Sequence, residues 1–134
     1  MIDRHANNLK DTSQTVINCY DFMDAFASCG ITDFTDGKYY GNPHLPYLKA
    51  QENQAEWLLD QINCKKGSRI LDIGCGNGRI LQTAERRGAE AVGITISEKQ
   101  VEKCRNQKLD ARLLNYRSIP ESWNASFNER ASNF

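Results

Sequence analysis

The run Arg69 to Ile73 is short and apolar, and it stops at three glycines within five residues, Gly74-Cys75-Gly76-Asn77-Gly78, after which a helical pattern begins at once. That junction restricts the fold more than any other part of the chain. A strand has to become a helix within a few residues, and glycine lets the backbone pass close beneath a ligand where a β-carbon would collide. Asp72 adds to this, because a carboxylate near the end of an apolar strand is costly unless something there uses it. The same glycines would also serve a tight turn with no ligand, so the loop by itself leaves both readings open.

Downstream, strand and helix alternate. The pattern predicts a strand over Arg69–Ile73, a helix to about Arg87, a strand over Ala91–Thr95, a helix from Glu98 to about Gln107 and a strand over Ala111–Asn115. Short connections between such elements make a βαβαβ unit with a parallel sheet, so the fold class is α/β. Upstream, residues 1–12 are polar and read as a loose lead-in. Val16, Ile17, Tyr20, Met23, Phe26 and Ala27 then recur at helical spacing over about 13–29. An aromatic-rich loop from Ile31 to Pro46 holds Tyr39, Tyr40 and His44, and a second helix runs from Tyr47 to about Ile62. Past Pro120 the tail is too polar for a central strand. The expected organisation is a helical lead and aromatic loop over 1–66, a ligand-binding half-domain over 67–120 and a polar tail over 121–134.

Lysine plus arginine balances aspartate plus glutamate at 17 each, so overall charge gives no reason to expect nucleic acid as a partner. No apolar run approaches the ~20 residues of a membrane span and no secretory leader is legible, which makes a cytoplasmic protein the expectation. The five cysteines, Cys19, Cys29, Cys64, Cys75 and Cys104, are widely spaced without zinc-ligand pattern and read as free thiols, so no metal is expected. Without a leader, the sequon Asn124-Ala125-Ser126 is a chance match. His5 reads as a tail residue and His44 as loop polarity, and no residue can be assigned as a general base.

The glycine spacing narrows the ligand. A dinucleotide fold spaces its glycines GxGxxG and places an acidic residue about 20 positions later for a ribose hydroxyl. Here the spacing is GxGxG, which crowds the place of a pyrophosphate and suits a nucleoside bearing an amino-acid tail. That favours S-adenosyl-L-methionine over nicotinamide. The second strand ends Gly93-Ile94-Thr95-Ile96-Ser97-Glu98-Lys99-Gln100, with no acidic residue at its tip, leaving Thr95 and Gln100 to hydrogen-bond a ribose. Ser97-x-x-Gln100 also fits a capping box, and spacing alone does not choose between the two roles for Gln100.

With these residues in hand, 15 to about 127 resembles the cyclopropane fatty acid synthase group of class I S-adenosylmethionine-dependent methyltransferases. The resemblance rests on Tyr20-Asp21 in the first helix, Ala50-Gln51 opening the next, Leu71 to Gly76, the Gly93-to-Gln100 run, and Asn115-Tyr116-Arg117 after the third strand. It implies a Rossmann-like methyltransferase fold with an N-terminal helical extension, ending here after the third parallel strand. It implies that Asp72, Gly74 and Gly76 face the methionine part, with Cys75, Asn77 and Gly78 completing the loop. Thr95, Ile96 and Gln100 would lie at the ribose, and Asn115 and Tyr116 at the adenine. Tyr39 and Tyr40 are expected to touch ligand, although the family's tyrosine-serine-cysteine loop is matched only by Lys38-Tyr39-Tyr40-Gly41-Asn42, without cysteine. Methyl transfer to a small-molecule or lipid acceptor is therefore expected rather than cyclopropanation. The alternative is a catalytically inactive cofactor-binding fragment or interaction module. A 3-2-1-4-5 strand order would leave the first strand at an open edge, so a dimer or a swap that completes the sheet is also expected.

Overall fold

A computed structural model describes residues 4–23, 26 and 35–123. The elements are α1 (Arg4–Met23), α2 (Tyr47–Gln61), β1 (Arg69–Ile73), α3 (Arg79–Arg86), β2 (Glu90–Thr95), α4 (Glu98–Asn106) and β3 (Asp110–Leu113), followed by a single 3-10 turn over Tyr116–Ser118. The three strands are parallel in the order β1-β2-β3. Leu71 lies opposite Val92, Ile73 opposite Ile94, and Thr95 opposite Leu113. The carboxyl ends of β1 and β2 therefore meet side by side, the place where ligands bind in open α/β sheets.

The core is built from one side chain per turn of each crossover helix set against small residues on the sheet. Leu81, Ala84 and Cys104 are completely buried and meet Ala91, Ala111, Leu109 and Leu59. Alanine on β2 and β3 lets α3 and α4 lie close. Gly93 goes furthest in this direction: a β-carbon there would fall 2.6 Å from Cys75 and 2.7 Å from Leu81 Cδ1, so only glycine lets the loop after β1 rest on β2. On the outer side, α2 and α3 are braced by Arg87, whose guanidinium donates to Glu56, to the Glu56 and Cys64 carbonyls, and lies 2.8 Å from Asp60 Oδ1. Such multidentate arginine contacts fix geometry as well as adding energy.

Three elements depart from their expected bounds. Helix α1 begins at Arg4, not near residue 13, because no glycine or proline precedes Gly30 and polar residues cost a helix only tenths of a kcal/mol each. Its expected continuation toward residue 29 falls, residue 26 apart, on positions outside the described residues, as do the start of the aromatic loop and the tail from residue 124 onward. Strand β2 starts at Glu90, whose N–H donates to the Ser68 carbonyl at 2.8 Å. Strand β3 stops at Leu113, before the expected Asn115: the Asn115 side chain accepts from the Arg117 N–H at 3.0 Å and turns the backbone out of the ladder.

Among the described strands β1 pairs on one side only, and Ile73 on that strand is 56% exposed. No helix of the described residues is long and apolar enough to cross a membrane.

Candidate functional site

A cavity of about 620 Å³ opens at the carboxyl ends of β1 and β2, walled below by the loop after β1 and above by α1 and α2. Each wall follows from a local feature of the chain. The loop is stapled to β2, since the N–H groups of Gly74 and Cys75 both donate to the Ile94 carbonyl, at 2.8 and 3.0 Å. Gly74 and Gly76 hold positive φ, +80° and +53°, and a β-carbon on either would meet no protein atom within 4 Å. The room above them therefore belongs to the cavity, not to packing. Gly78 is different. Its β-carbon would fall 2.6 Å from Leu109 Cδ1 and 2.9 Å from Cys104 Sγ, and it lies off the cavity wall. The expected ligand role of Gly78 gives way to a structural one, letting α3 start against the core.

Beneath the loop, the Cys104 thiol donates to the Gly76 carbonyl at 3.4 Å. Cys75 lines the cavity, and its hydrogen bond with Cys104 together with burial holds its thiol well above the ordinary range, hence protonated. The four described cysteines are free thiols; Cys29 lies outside the described residues.

Asp72 lines the cavity at the tip of β1, and burial pushes its carboxyl up to about 6. No hydrogen bond or ion pair from the described residues reaches it. A desolvated carboxylate of this kind is complementary to a cationic group on a ligand.

At the tip of β2 the two readings of Gln100 separate. Ser97 caps α4, its Oγ accepting from the Gln100 N–H at 3.3 Å. The reciprocal half of a capping box is missing: the Ser97 N–H donates to Thr95 Oγ1 at 3.3 Å instead. The Gln100 side chain goes to Thr95, whose hydroxyl donates to Gln100 Oε1 at 2.6 Å. Both residues are buried and both line the cavity, with Ile96 beside them. The Gln100 amide NH₂ is left to donate toward the cavity.

Several lining residues carry no glycine-loop or strand-tip signal and were not legible as site residues. Val16, Ile17, Tyr20 and Met23 come from α1, and Ala55 and Leu58 from α2. Helix α1 is tied down by Asp21, which accepts from Ser97 Oγ at 3.2 Å and pairs with Lys99 Nζ at 3.3 Å. Gln51, almost fully buried, donates to the Thr35 carbonyl at 3.0 Å and accepts from Arg79 Nη2 at 3.2 Å; Thr35 and Arg79 both line the cavity. The one hint of Gln51 was its place in the Ala50-Gln51 pair.

Among the described residues of the loop, the one at the cavity is therefore Thr35, not the expected Tyr39 and Tyr40. Tyr47 Oη and Gln51 Nε2 both draw the Thr35 carbonyl inward. Tyr39 and Tyr40 sit in an outward turn closed by the Asn42 N–H on the Tyr39 carbonyl, and Tyr40 is 67% exposed with Lys38 Nζ 5.3 Å from its ring. His44 is exposed on the same loop; the His5 side chain lies outside the described residues.

Asn77 and Tyr116 line the main cavity, whereas Asn115 lines a second one of about 610 Å³ between α1, the β2–α4 turn and the end of β3. Ile17, Ile96 and Leu114 border both cavities. No group of three or more histidine, cysteine, aspartate or glutamate side chains suited to a metal ion occurs among the described residues.

Residues 7–130 match the family model of mycolic acid cyclopropane synthetase. A probable fatty acid methyltransferase of Pseudomonas putida is 25% identical over 130 residues, covering 89% of this chain and 33% of that protein. Among solved structures, the cyclopropane synthase MmaA2 from Mycobacterium tuberculosis superposes with a TM-score of 0.65 at 21% identity, over 75% of this chain and 39% of that one. The geranyl diphosphate C-methyltransferase from Streptomyces coelicolor A3(2), in complex with Mg2+, geranyl-S-thiolodiphosphate and S-adenosyl-L-homocysteine, superposes with a TM-score of 0.60 at 19% identity, over 81% of this chain and 50% of that one. The chain thus spans about a third of the length of the Pseudomonas relative. The α/β topology, the match over nearly the whole sequence and the position of the cavity agree, and the chain belongs to the mycolic acid cyclopropane synthetase family.

Proposed function

We propose that this chain forms the cofactor-binding part of an S-adenosyl-L-methionine-dependent methyltransferase. The observation that carries the reading is the convergence on one cavity of open space above Gly74 and Gly76, the unpaired Asp72 carboxylate and the Thr95–Gln100 pair. These groups fit the cofactor's parts. Asp72 offers a charge for the ammonium of the methionine tail, the two glycines leave its backbone-hugging path clear, and the Gln100 amide can donate to a ribose hydroxyl. The second cavity continues past Ile96 and Leu114 to Asn115, long enough with the first for an adenine to lie there. Cavities of a few hundred Å³ are of the size that encloses such a ligand.

When bound, the cofactor supplies a methyl group on a sulfonium, ready for displacement by an acceptor. The chain's part is orientation and exclusion of water, which can supply roughly 7–11 kcal/mol of such a barrier. Val16, Ile17, Met23, Ala55 and Leu58 make the wall facing the glycine loop apolar, which supports a lipid or apolar small-molecule acceptor. The free thiols support a cytoplasmic setting. The one-sided pairing of β1 supports completion of the sheet by a second chain, in a dimer or a swap, and sedimentation should then give a mass above that of one chain.

The test is a thermal shift of the purified chain against S-adenosyl-L-methionine, S-adenosyl-L-homocysteine and NAD. Ligand at 100 times its dissociation constant stabilises by about 2.7 kcal/mol, so the first two should raise the melting temperature by several degrees. A shift with NAD alone would contradict the reading.

A further inference from the structure

Resting on the cofactor reading above, we propose that Asp21 is a positioning residue that latches α1 over the bound cofactor and sets how fast it leaves. The sequence of α1 puts two stripes on neighbouring sides of the helix. Val16, Tyr20 and Met23 line the main cavity, whereas Gln14, Ile17 and Asp21 line the second one, and Ile17 borders both. Spacings of three and four residues place each set on one side. A ligand that spans the two cavities therefore lies between α1 and the tips of β2 and β3.

Apolar burial holds α1 weakly, since Val16 and Tyr20 stay 38% and 50% exposed. Asp21 supplies a directed contact. Its two carboxylate oxygens take different partners at the start of α4: Oδ1 accepts from Ser97 Oγ at 3.2 Å, and Oδ2 lies 3.3 Å from Lys99 Nζ. The N–H groups of the first turn of α4 favour a negative charge at that end of the helix. The Ser97 hydroxyl that donates to Asp21 also accepts the Gln100 N–H at 3.3 Å. One hydroxyl thus joins α1 to the residue proposed to meet the ribose. Asp21 lies off the main cavity wall that carries the glycine loop and Asp72, so the latch acts on retention of the ligand and leaves those contacts in place.

The experiment measures association and dissociation rates of S-adenosyl-L-homocysteine on the full chain, Asp21→Ala, Asp21→Asn and Lys99→Met by surface plasmon resonance, beside hydrogen exchange of the same proteins. Asp21→Ala should raise the dissociation rate by about tenfold and leave the association rate within about twofold, because losing a charge-assisted bond shortens residence more than it slows encounter. Asp21→Asn keeps an acceptor for the Ser97 hydroxyl and should keep part of the retention. Lys99→Met removes the exposed ion pair and should change the rate by no more than about threefold. Without ligand, hydrogen exchange over residues 13–23 should quicken in Asp21→Ala while β1, β2 and β3 exchange as before, which also proves the variant folded. A dissociation rate in Asp21→Ala within about twofold of the unmodified chain's overturns the proposal. So does quickened exchange spread equally over the sheet, which would make Asp21 a brace of the whole fold. Failure of the unmodified chain to bind the ligand overturns the cofactor reading, and the latch with it.

Discussion

Thr95 Oγ1 donates to Gln100 Oε1 across 2.6 Å, joining the last residue of β2 to the first turn of α4 in a buried bond. With its carbonyl oxygen engaged, the Gln100 amide has one orientation, its NH₂ toward the cavity. Thr95 is thus a positioning residue for Gln100, and Ser97, which caps the helix through the Gln100 N–H, fixes the backbone that carries it.

Thr95→Val keeps the shape of the side chain and removes both the donor to Gln100 Oε1 and the acceptor of the Ser97 N–H. The loss of these two buried hydrogen bonds predicts a destabilisation of about 2 kcal/mol, and release of the Gln100 amide predicts S-adenosyl-L-homocysteine affinity lower by roughly tenfold. Gln100→Ala should weaken binding at least as much. Calorimetric titration of both variants checks this, and unchanged affinity in Gln100→Ala would remove that residue from the site.

Asp72 predicts opposite effects on stability and on binding. Its carboxyl titrates near 6 in the folded chain and lower when unfolded, so the folded state holds that proton more tightly. The proton's contribution is present in full below the unfolded value, is lost as pH rises, and is gone above about 6. Asp72→Asn should accordingly raise stability at pH 7 by up to about 3 kcal/mol, with the gain shrinking toward pH 4. Urea unfolding at the two pH values measures it. The same variant should lose ligand affinity, and the unmodified chain should bind more tightly as pH rises through 6, because the charged carboxylate is the form that meets a cation.

The glycines of one loop should separate by function. Gly78→Ala meets both a positive φ and a β-carbon 2.6 Å from Leu109, and should cost several kcal/mol of stability. Gly76→Ala has the strained φ without the clash, and should cost about 1 kcal/mol while losing most ligand binding. Chemical denaturation and titration of the pair check this.

Tyr40 projects from the outward turn away from the cavity wall, so Tyr40→Ala should leave ligand affinity within about twofold. Thr35→Ala removes an acceptor of the Gln51 amide and leaves the Thr35 carbonyl in place, and should weaken affinity by a few fold. Parallel titrations compare the two.

The alternating unit was legible because apolar period, glycine and helix cap agree over residues 69–113: β1 lies where the apolar run placed it, and the glycine loop opens on the cavity. What escaped depended on contacts distant along the chain. Nothing local in Val16 or Met23 tells a cavity wall from a core stripe, since both need the same helical spacing. Tyr39 and Tyr40 drew attention as aromatic residues, yet the loop is set by Tyr47 and Gln51 on α2, which select Thr35 instead. Gly78 shares its neighbours' motif, and only the approach of Leu109 and Cys104 distinguishes it from them.

The measurement that bears most directly on the cofactor reading is isothermal titration of the purified chain with S-adenosyl-L-homocysteine, beside a Gly76→Val variant checked for folding. The account predicts saturable binding by the unmodified chain and its loss in Gly76→Val, because the branched side chain would occupy the space above the loop. No heat from a folded, unmodified chain, or equal binding by the two, would contradict it.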